Sequence, residues 1–136
     1  MTEDWNSKII SEFRANEGRV GGMFEGRPLL LLHTRGAKTG AERVNPVAYR
    51  VDGDALVIFA SKAGAPANPD WYHNLLANPH VTVEVGTEKR DLVARVASGD
   101  ERHRLWEAQK RDAPGFADYE TKTDRQIPVV MLEPAT

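Results

Sequence analysis

The chain has 136 residues, of which 40% are hydrophobic and 28% charged, and its formal net charge is −2. This length matches one ordinary domain with a single core, and the lack of any apolar run of about 18 residues excludes a membrane span. The absence of cysteine excludes disulfides, thiolate nucleophiles and cysteine-ligated zinc. The N-terminus lacks the layout of a secretory signal, so we expect a single cytoplasmic domain over 1–136.

Helical periodicity appears in four places along the chain. The predicted helices lie at about 4–16, 69–77, 101–110 and 116–120. The first is amphipathic, and the second has Asn68 as a favourable N-cap and Pro69 at its first position. The third follows Ser98 and Glu101, which have the spacing of a capping box.

Short apolar or alternating runs predict six strands. They lie at 28–34, 43–51, 55–61, 81–85, 90–97 and 127–132. Asp52-Gly53 predicts a tight hairpin turn in which both residues have positive φ. Because most of these strands are joined by hairpins, we expect a mainly β, α+β fold: a six-stranded antiparallel barrel with peripheral helices.

The segment "HTRGAKTGAERVNP" contains a concentration of positive charge, which we call the basic turn (residues 35–43). It is not a nucleotide P-loop, because its lysine, Lys38, follows alanine and the turn leads into a strand. Its glycines and cations suit an anion-binding loop. A solvated hairpin tip is the other interpretation.

A second basic position, Lys62, follows the third strand. Since strands two and three are predicted hairpin partners, we expect Lys62 to approach Lys38 and Arg43. Three converging cations repel one another unless a negative charge neutralises them. An anionic ligand would do so, and so would a nearby Glu42 or Glu25.

Other candidate positions are less specific. Trp71 and Tyr72 lie one turn into the second helix, where they suit either the core or a ligand pocket. Phe116 and Tyr119 share one helix face. The four histidines are scattered and predict no metal site, and Ser61 has no histidine at a motif-like spacing.

Three ordered segments resemble the deazaflavin-dependent nitroreductase family, a branch of the FMN-binding, flavin-reductase-like split β-barrel proteins. These segments are "TRGAKTGAERVNP", "ASKAGAPANPDWYHNLLANPHVTVEV" and "DRQIPVVMLEP". The resemblance covers about 29–134. It implies coenzyme F420 as the ligand, an 8-hydroxy-5-deazaflavin with a phosphate and an oligoglutamate tail.

The resemblance also implies a set of site residues. Cofactor contacts are expected at Lys38, Thr39, Gly40, Arg43, Asn45, Pro46, Val47, Ala60, Ser61, Lys62 and Trp71. Within this set Lys38, Arg43 and Lys62 would clamp the phosphate, aided by backbone N–H groups of the turn. Arg35 would help with the glutamate tail. Ser61 and Tyr119 are the catalytic candidates, and no metal is expected.

The implied activity is hydride transfer from reduced deazaflavin to a flat electron-poor acceptor, such as a quinone, an enone or a nitroaromatic compound. Two alternatives stay open: a split barrel that uses FMN, and a non-catalytic carrier of a cofactor or tetrapyrrole. The net charge argues against a nucleic-acid-binding module. A monomer or homodimer, and a peripheral membrane contact through the N-terminal helix, are both compatible with the sequence.

Overall fold

The computed structural model describes residues 2–18, 29–37, 39–60, 68–123 and 126–134. The helices and strands follow the predicted order, although α1 begins earlier than expected. Their bounds are α1 Thr2–Ala15, β1 Leu29–Arg35, β2 Glu42–Asp52, β3 Ala55–Phe59, α2 Asp70–Ala77, β4 His80–Val85, β5 Glu88–Val96, α3 Gly99–Asp112, α4 Gly115–Thr121 and β6 Val129–Pro134. Among the described helices, none is long and apolar enough to cross a membrane.

The six strands form a closed antiparallel barrel, which confirms the predicted fold class. Their order around the barrel is β1-β2-β3-β6-β5-β4. Three hairpin pairs join strands that are consecutive in the sequence. Pairing of β1 with β4 and of β6 with both β3 and β5 completes the closure.

The barrel is filled by side chains from all six strands and from α2. We call this group the interior cluster: Leu30, Leu32, Val47, Leu56, Ile58, Ala60, Trp71, Leu75, Val81, Val83, Leu92, Val130 and Leu132. Each of these residues is buried. Removing this much apolar surface from water is the main stabilising contribution to such a fold.

The outer face of the barrel is covered by helices in two places. Residues of β3 and β6 that alternate with the interior ones pack under α3 and α4, in what we call the α3/α4 cluster. All five residues of β3 are therefore buried, which explains why this strand is continuously apolar. On another part of the barrel, Phe13 of α1 packs with Leu29 and Leu31 of β1.

Helix α1 ends against the turn between β4 and β5. The N–H of Gly18 donates to the carbonyl oxygen of Phe13 at 2.7 Å, a bond typical of a Schellman C-cap. Glu17 has φ 56°, where glycine is usual. A Cβ at Gly18 would lie 2.7 Å from the Cα of Gly86, so the helix end fits closely only because glycine is present.

The hairpin turn between β2 and β3 lies one residue later than predicted. Asp52 pairs with Ala55, which leaves Gly53 and Asp54 as the two loop residues. Of these two loop residues only Gly53 has a positive φ, at 59°. Asp52 itself belongs to the strand because the β2–β3 ladder continues up to it.

The predicted N-caps are corrected in part. Pro69, and not Asn68, occupies the N-cap position of α2, and it makes no side-chain cap. Ser98 is the N-cap residue of α3 as predicted, but its side chain makes no capping hydrogen bond. The capping box does not form, because the carboxylate of Glu101 pairs with Arg95 instead.

Candidate cofactor-binding site

The centre of the basic turn is closed by its own hydrogen bonds. The N–H of Gly36 donates to the Ala41 carbonyl oxygen at 2.8 Å, and the N–H of Gly40 donates to the Gly36 carbonyl oxygen at 2.9 Å. The Ala41 N–H donates to Thr39 Oγ1 at 3.2 Å. Gly40 has φ 70°, a conformation that glycine adopts without strain. Its N–H, expected for the phosphate, is therefore already engaged within the turn.

One N–H group of the turn, that of Thr39, has no acceptor in the described part of the chain. The Ala37 N–H donates to Asn74 Oδ1 of α2 at 3.0 Å. The Thr39 N–H has no acceptor among the described residues, and Thr39 is exposed. Backbone N–H groups of such turns are good anion donors. Thr39 is thus the described position at which the turn offers a hydrogen bond to an anion.

The two arginines of the turn have no carboxylate partner in the described part of the chain. Arg35 and Arg43 are exposed, and the turn's only acid, Glu42, lies 3.5 Å from His33 Nδ1. Elsewhere several arginines are paired, as Arg95 is with two carboxylates. Glu42 therefore forms no ion pair with either arginine, and Glu25, the other acid that could compensate them, lies outside the described residues.

Three of the predicted ring-lining residues are brought together. Val47, Ala60 and Trp71 all belong to the interior cluster. The N–H of Ala60 also donates to the Pro128 carbonyl oxygen at 3.0 Å, which holds the end of β3 beside the start of β6. We call these three buried residues the Trp71 wall.

The predicted run at 45–47 does not share one face of β2. Val47 and Tyr49 contact the interior cluster, whereas Ala48 contacts both clusters outside the barrel. Because side chains alternate along a strand, the Asn45 side chain lies on the same face of β2 as Val47, and Pro46 lies on the same face as Ala48. Both are half-buried.

The expected approach of Lys62 to Arg43 stays a prediction. Pairing between β2 and β3 reaches only Tyr49 and Ile58 among the described residues. Arg43 lies further along β2 by about 20 Å of extended chain. The described pairing of β2 with β3 therefore ends at Tyr49, well short of Arg43. Three predicted site residues lie outside the described residues: Lys38, Ser61 and Lys62.

Tyr119 contacts Phe116, as their shared helix face predicted. The two ring centroids are 5.2 Å apart, and Lys122 Nζ lies 5.9 Å from the Tyr119 ring centroid. The Tyr119 hydroxyl makes no hydrogen bond to the described part of the chain. Phe116 stacks on Phe59, so Tyr119 belongs to the α3/α4 cluster, on the opposite face of β3 from Trp71.

Asn74 and Thr34 form a buried polar pair that the sequence analysis missed. Their relative exposures are 8% and 2%, and Asn74 Nδ2 donates to Thr34 Oγ1 at 3.4 Å. Asn74 follows Trp71 by about one turn of α2, on its buried face. An amide on an otherwise apolar helix face is the signal that could have revealed it, because a buried amide requires partners.

A second missed feature connects α1 with the barrel near the basic turn. Glu84 of β4 accepts two hydrogen bonds from Arg14, at 2.7 and 3.2 Å. Its Oε2 also lies 2.6 Å from His33 Nε2. The hydrogen bonds from Arg14, and to a lesser extent the one with His33, lower the pKa of Glu84 to about 2, although burial acts in the opposite direction. Glu84 is therefore a buried carboxylate that stays ionised.

The arrangement can be compared with known proteins. The sequence profile of the F420H(2)-dependent quinone reductase family matches residues 5–134. The chain belongs to this family. The resemblance drawn from the three segments is thus confirmed, together with the predicted class of enzyme, a reductase that uses coenzyme F420.

Individual relatives agree with this assignment. The chain is 44% identical over 124 residues to the F420H(2)-dependent quinone reductase Rv1261c of Mycobacterium tuberculosis, covering 88% of this chain and 83% of that protein. It is similar to the F420-H2 dependent reductase FDR-A, with a TM-score of 0.72, 41% identity and coverage of 79% and 95%. A structure described as a domain-swapped dimer gives a TM-score of 0.73, 36% identity and coverage of 98% and 100%.

Proposed function

We propose that this family member transfers a hydride from reduced F420 to quinones, and that enones and nitroaromatic compounds are further acceptors. The quinone is the first choice because relatives such as Rv1261c carry that substrate in their names. The observation that carries the proposal is that Arg35, Arg43 and the N–H of Thr39, all on one turn, have no partner in the described part of the chain. The other acceptors share the flat, electron-poor character of a quinone.

The described residues fit the anionic part of the coenzyme. Arg43 and the Thr39 N–H would hold the phosphate, and Arg35 would contact the glutamate tail. Charge-assisted hydrogen bonds of this kind are stronger than neutral ones. Lys38 and Lys62 would complete the phosphate site.

The aromatic part of the coenzyme requires a different surface. We place this ring at the rim of the barrel beside Val47, Ala60 and Trp71, which are themselves buried. The half-buried Asn45 and Pro46 of β2 are then its more accessible contacts. Ring contacts of this type exclude water from the reacting atoms. The protein's main contribution is then to hold donor and acceptor in line.

The chemistry requires little of the protein beyond this alignment. When bound, the reduced deazaflavin supplies the hydride from its C5 position. Negative charge then develops on the acceptor oxygen, and a positioned donor stabilises it. We assign this role first to Ser61, which directly follows Ala60 in the chain. Tyr119 is the second candidate, although it lies on the opposite face of β3 from Trp71. The mechanism uses no nucleophile, in agreement with the absence of cysteine.

Anaerobic oxidation of F420H2, followed through the absorbance of the oxidised coenzyme, tests this proposal. A naphthoquinone, a cyclic enone and a nitroimidazole would be compared at equal concentration. We expect turnover with the quinone and slower turnover with the other two. Failure to oxidise F420H2 with any of the three would reject the proposal in favour of a non-catalytic carrier.

FMN remains the alternative cofactor, since the same cations could hold its phosphate. Titration of the apoprotein with FMN and with F420 separates the two. We expect F420 to bind more tightly. Equal or tighter binding of FMN would overturn this choice.

For assembly we propose a homodimer. The similarity to a structure described as a domain-swapped dimer favours it. Light scattering coupled to gel filtration measures the mass directly. A mass of one chain, which is 15.1 kDa, would establish the monomer instead.

A further inference from the structure

Asn74 connects two parts of the molecule that the proposed function uses separately. Its Oδ1 accepts the N–H of Ala37 in the basic turn, and its Nδ2 donates to Thr34 at the end of β1. Thr34 is the cross-strand partner of Arg43. A single side chain of α2 therefore holds both the first residues of the turn and the strand position opposite its unpaired arginine.

The orientation of this amide follows from its partners. The Ala37 N–H is a donor and requires an oxygen, so the amide nitrogen must face Thr34, whose hydroxyl oxygen can accept. Because Asn74 is buried, a loss of either bond would leave a polar group without compensation. Few rearrangements are available to it, and the turn is held at a defined distance from α2.

Helix α2 also carries Trp71, about one turn before Asn74 on the same buried face. Trp71 packs in the interior cluster with Val47 and Ala60. The short helix thus contributes Trp71 to the wall and, three residues later, Asn74 to the hydrogen bond that holds the basic turn. Its position sets the spacing between the two surfaces.

We propose that Asn74 is a positioning residue that fixes the distance between the anion-binding turn and the Trp71 wall. This inference rests on the proposed placement of the coenzyme. A ligand that joins a planar ring to a phosphate gains from both surfaces together only when their spacing matches its own. If the turn were free to shift, the ring would still find its wall but the phosphate would lose its partners.

The test compares two probes on the full chain: coenzyme F420 and the same deazaflavin without its phosphate and glutamate tail. In Asn74→Leu we expect affinity for F420 to fall about tenfold, as for the loss of a strong hydrogen bond, with little change for the phosphate-free probe. Likewise KM for F420H2 should rise while kcat at saturation is kept. Asn78→Leu, at the end of the same helix, serves as the matched control and should bind both probes like the parent chain.

A second pair of variants keeps the test valid if Asn74→Leu folds poorly. Thr34→Val removes the hydroxyl that accepts from Asn74, whereas Thr34→Ser retains it. We expect Thr34→Val to lose affinity for F420 selectively and Thr34→Ser to keep it. Equal loss for both probes in Asn74→Leu and Thr34→Val would show only a general structural role and overturn the inference.

Arg43→Ala separates this inference from the placement on which it rests. If Arg43→Ala weakens F420 binding while Asn74→Leu and Thr34→Val do not, the coenzyme placement stands and the role of Asn74 is rejected. If Arg43→Ala leaves the affinity unchanged, the phosphate is not held at this turn, and both fail.

Discussion

At the scale of single residues, Arg43 is the sharpest test of the proposed phosphate site. Its guanidinium has no carboxylate partner in the described residues, so its removal should disturb the fold little. We expect Arg43→Ala to weaken F420 binding by about 1.5 to 3 kcal/mol, the contribution of a charge-assisted hydrogen bond. A fluorescence titration with the coenzyme measures it. Arg90→Ala, an exposed arginine of β5, is the control and should change nothing.

Glu17 offers a residue-scale prediction about stability. Its φ of 56° places a non-glycine residue in the left-handed region, which is unfavourable for L-residues. Glu17→Gly should therefore raise the free energy of unfolding by about 1 kcal/mol, as measured by urea denaturation. Ala15→Gly, in the last turn of the same helix, should lower it by about 1 kcal/mol. A destabilised Glu17→Gly would contradict this explanation of the helix end.

Single site candidates were chosen from the sequence where a local pattern or a resemblance identified them, and their roles stay predictions. Arg43 and Trp71 belong to segments with a recognisable pattern. Asn74 was missed because its partner Ala37 lies 37 positions away, and no local pattern announces a contact of that range. The sequence likewise did not show that the Thr39 N–H lacks an acceptor among the described residues, because this depends on which carbonyl groups the folded turn brings near.

At the scale of whole elements, Glu84 fastens α1 to the barrel and makes that contact depend on pH. Its pKa falls from 4.5 to about 2 on folding. Between these values the unfolded chain binds a proton that the folded chain does not, so stability rises with pH in this window. The contribution is complete above pH 4.5 and is lost as the pH falls toward 2. Glu84→Gln should therefore flatten the acid limb of stability, measured by urea denaturation at several pH values.

A matched variant makes the pH experiment specific. Glu88 is an exposed carboxylate at the start of β5, and Glu88→Gln should keep the parent's acid limb. Parallel profiles for the parent and Glu84→Gln would mean that the contact with Arg14 contributes nothing to folding.

Elements were predicted better than their ends. Apolar periodicity located all the helices and strands of the described chain, because burial on one face or both faces imposes it. The turn after β2 lies one residue later than predicted, because the pairing of β2 with β3 continues through Asp52. The capping box at Ser98 did not form because Arg95, six positions before Glu101, offered its carboxylate a charged partner. The local sequence contains both partners but does not show which of them the folded carboxylate takes.

At the scale of the whole molecule, the two largest apolar clusters share their strands. Residues of β3 and β6 contribute alternately to the interior cluster and to the α3/α4 cluster. Neither cluster can come apart without affecting the other, so we expect one cooperative unfolding transition. Tryptophan fluorescence and far-ultraviolet circular dichroism should give the same urea midpoint. Earlier loss of the helical signal would show that α3 and α4 unfold independently.

The barrel was predictable in part because three of its six strand pairs are local hairpins. What the hairpins alone could not determine is the closure, since β1 pairs with β4 and β6 lies between β3 and β5. The resemblance to split barrels provided that part. Contacts such as that of Asn74 with Ala37 depend on helices packed onto this frame, which is why the sequence did not show them.

The filled interior has a consequence for how a coenzyme comes and goes. The interior of a six-stranded barrel is filled by its own side chains and leaves no room for a ligand. The interior residues Leu30, Leu32, Ile58 and Leu132 are completely buried. A bound ligand must consequently occupy the exterior or the rim. Its departure requires no separation of the barrel strands, so the pairing of β1 to β6 does not limit how fast a coenzyme leaves.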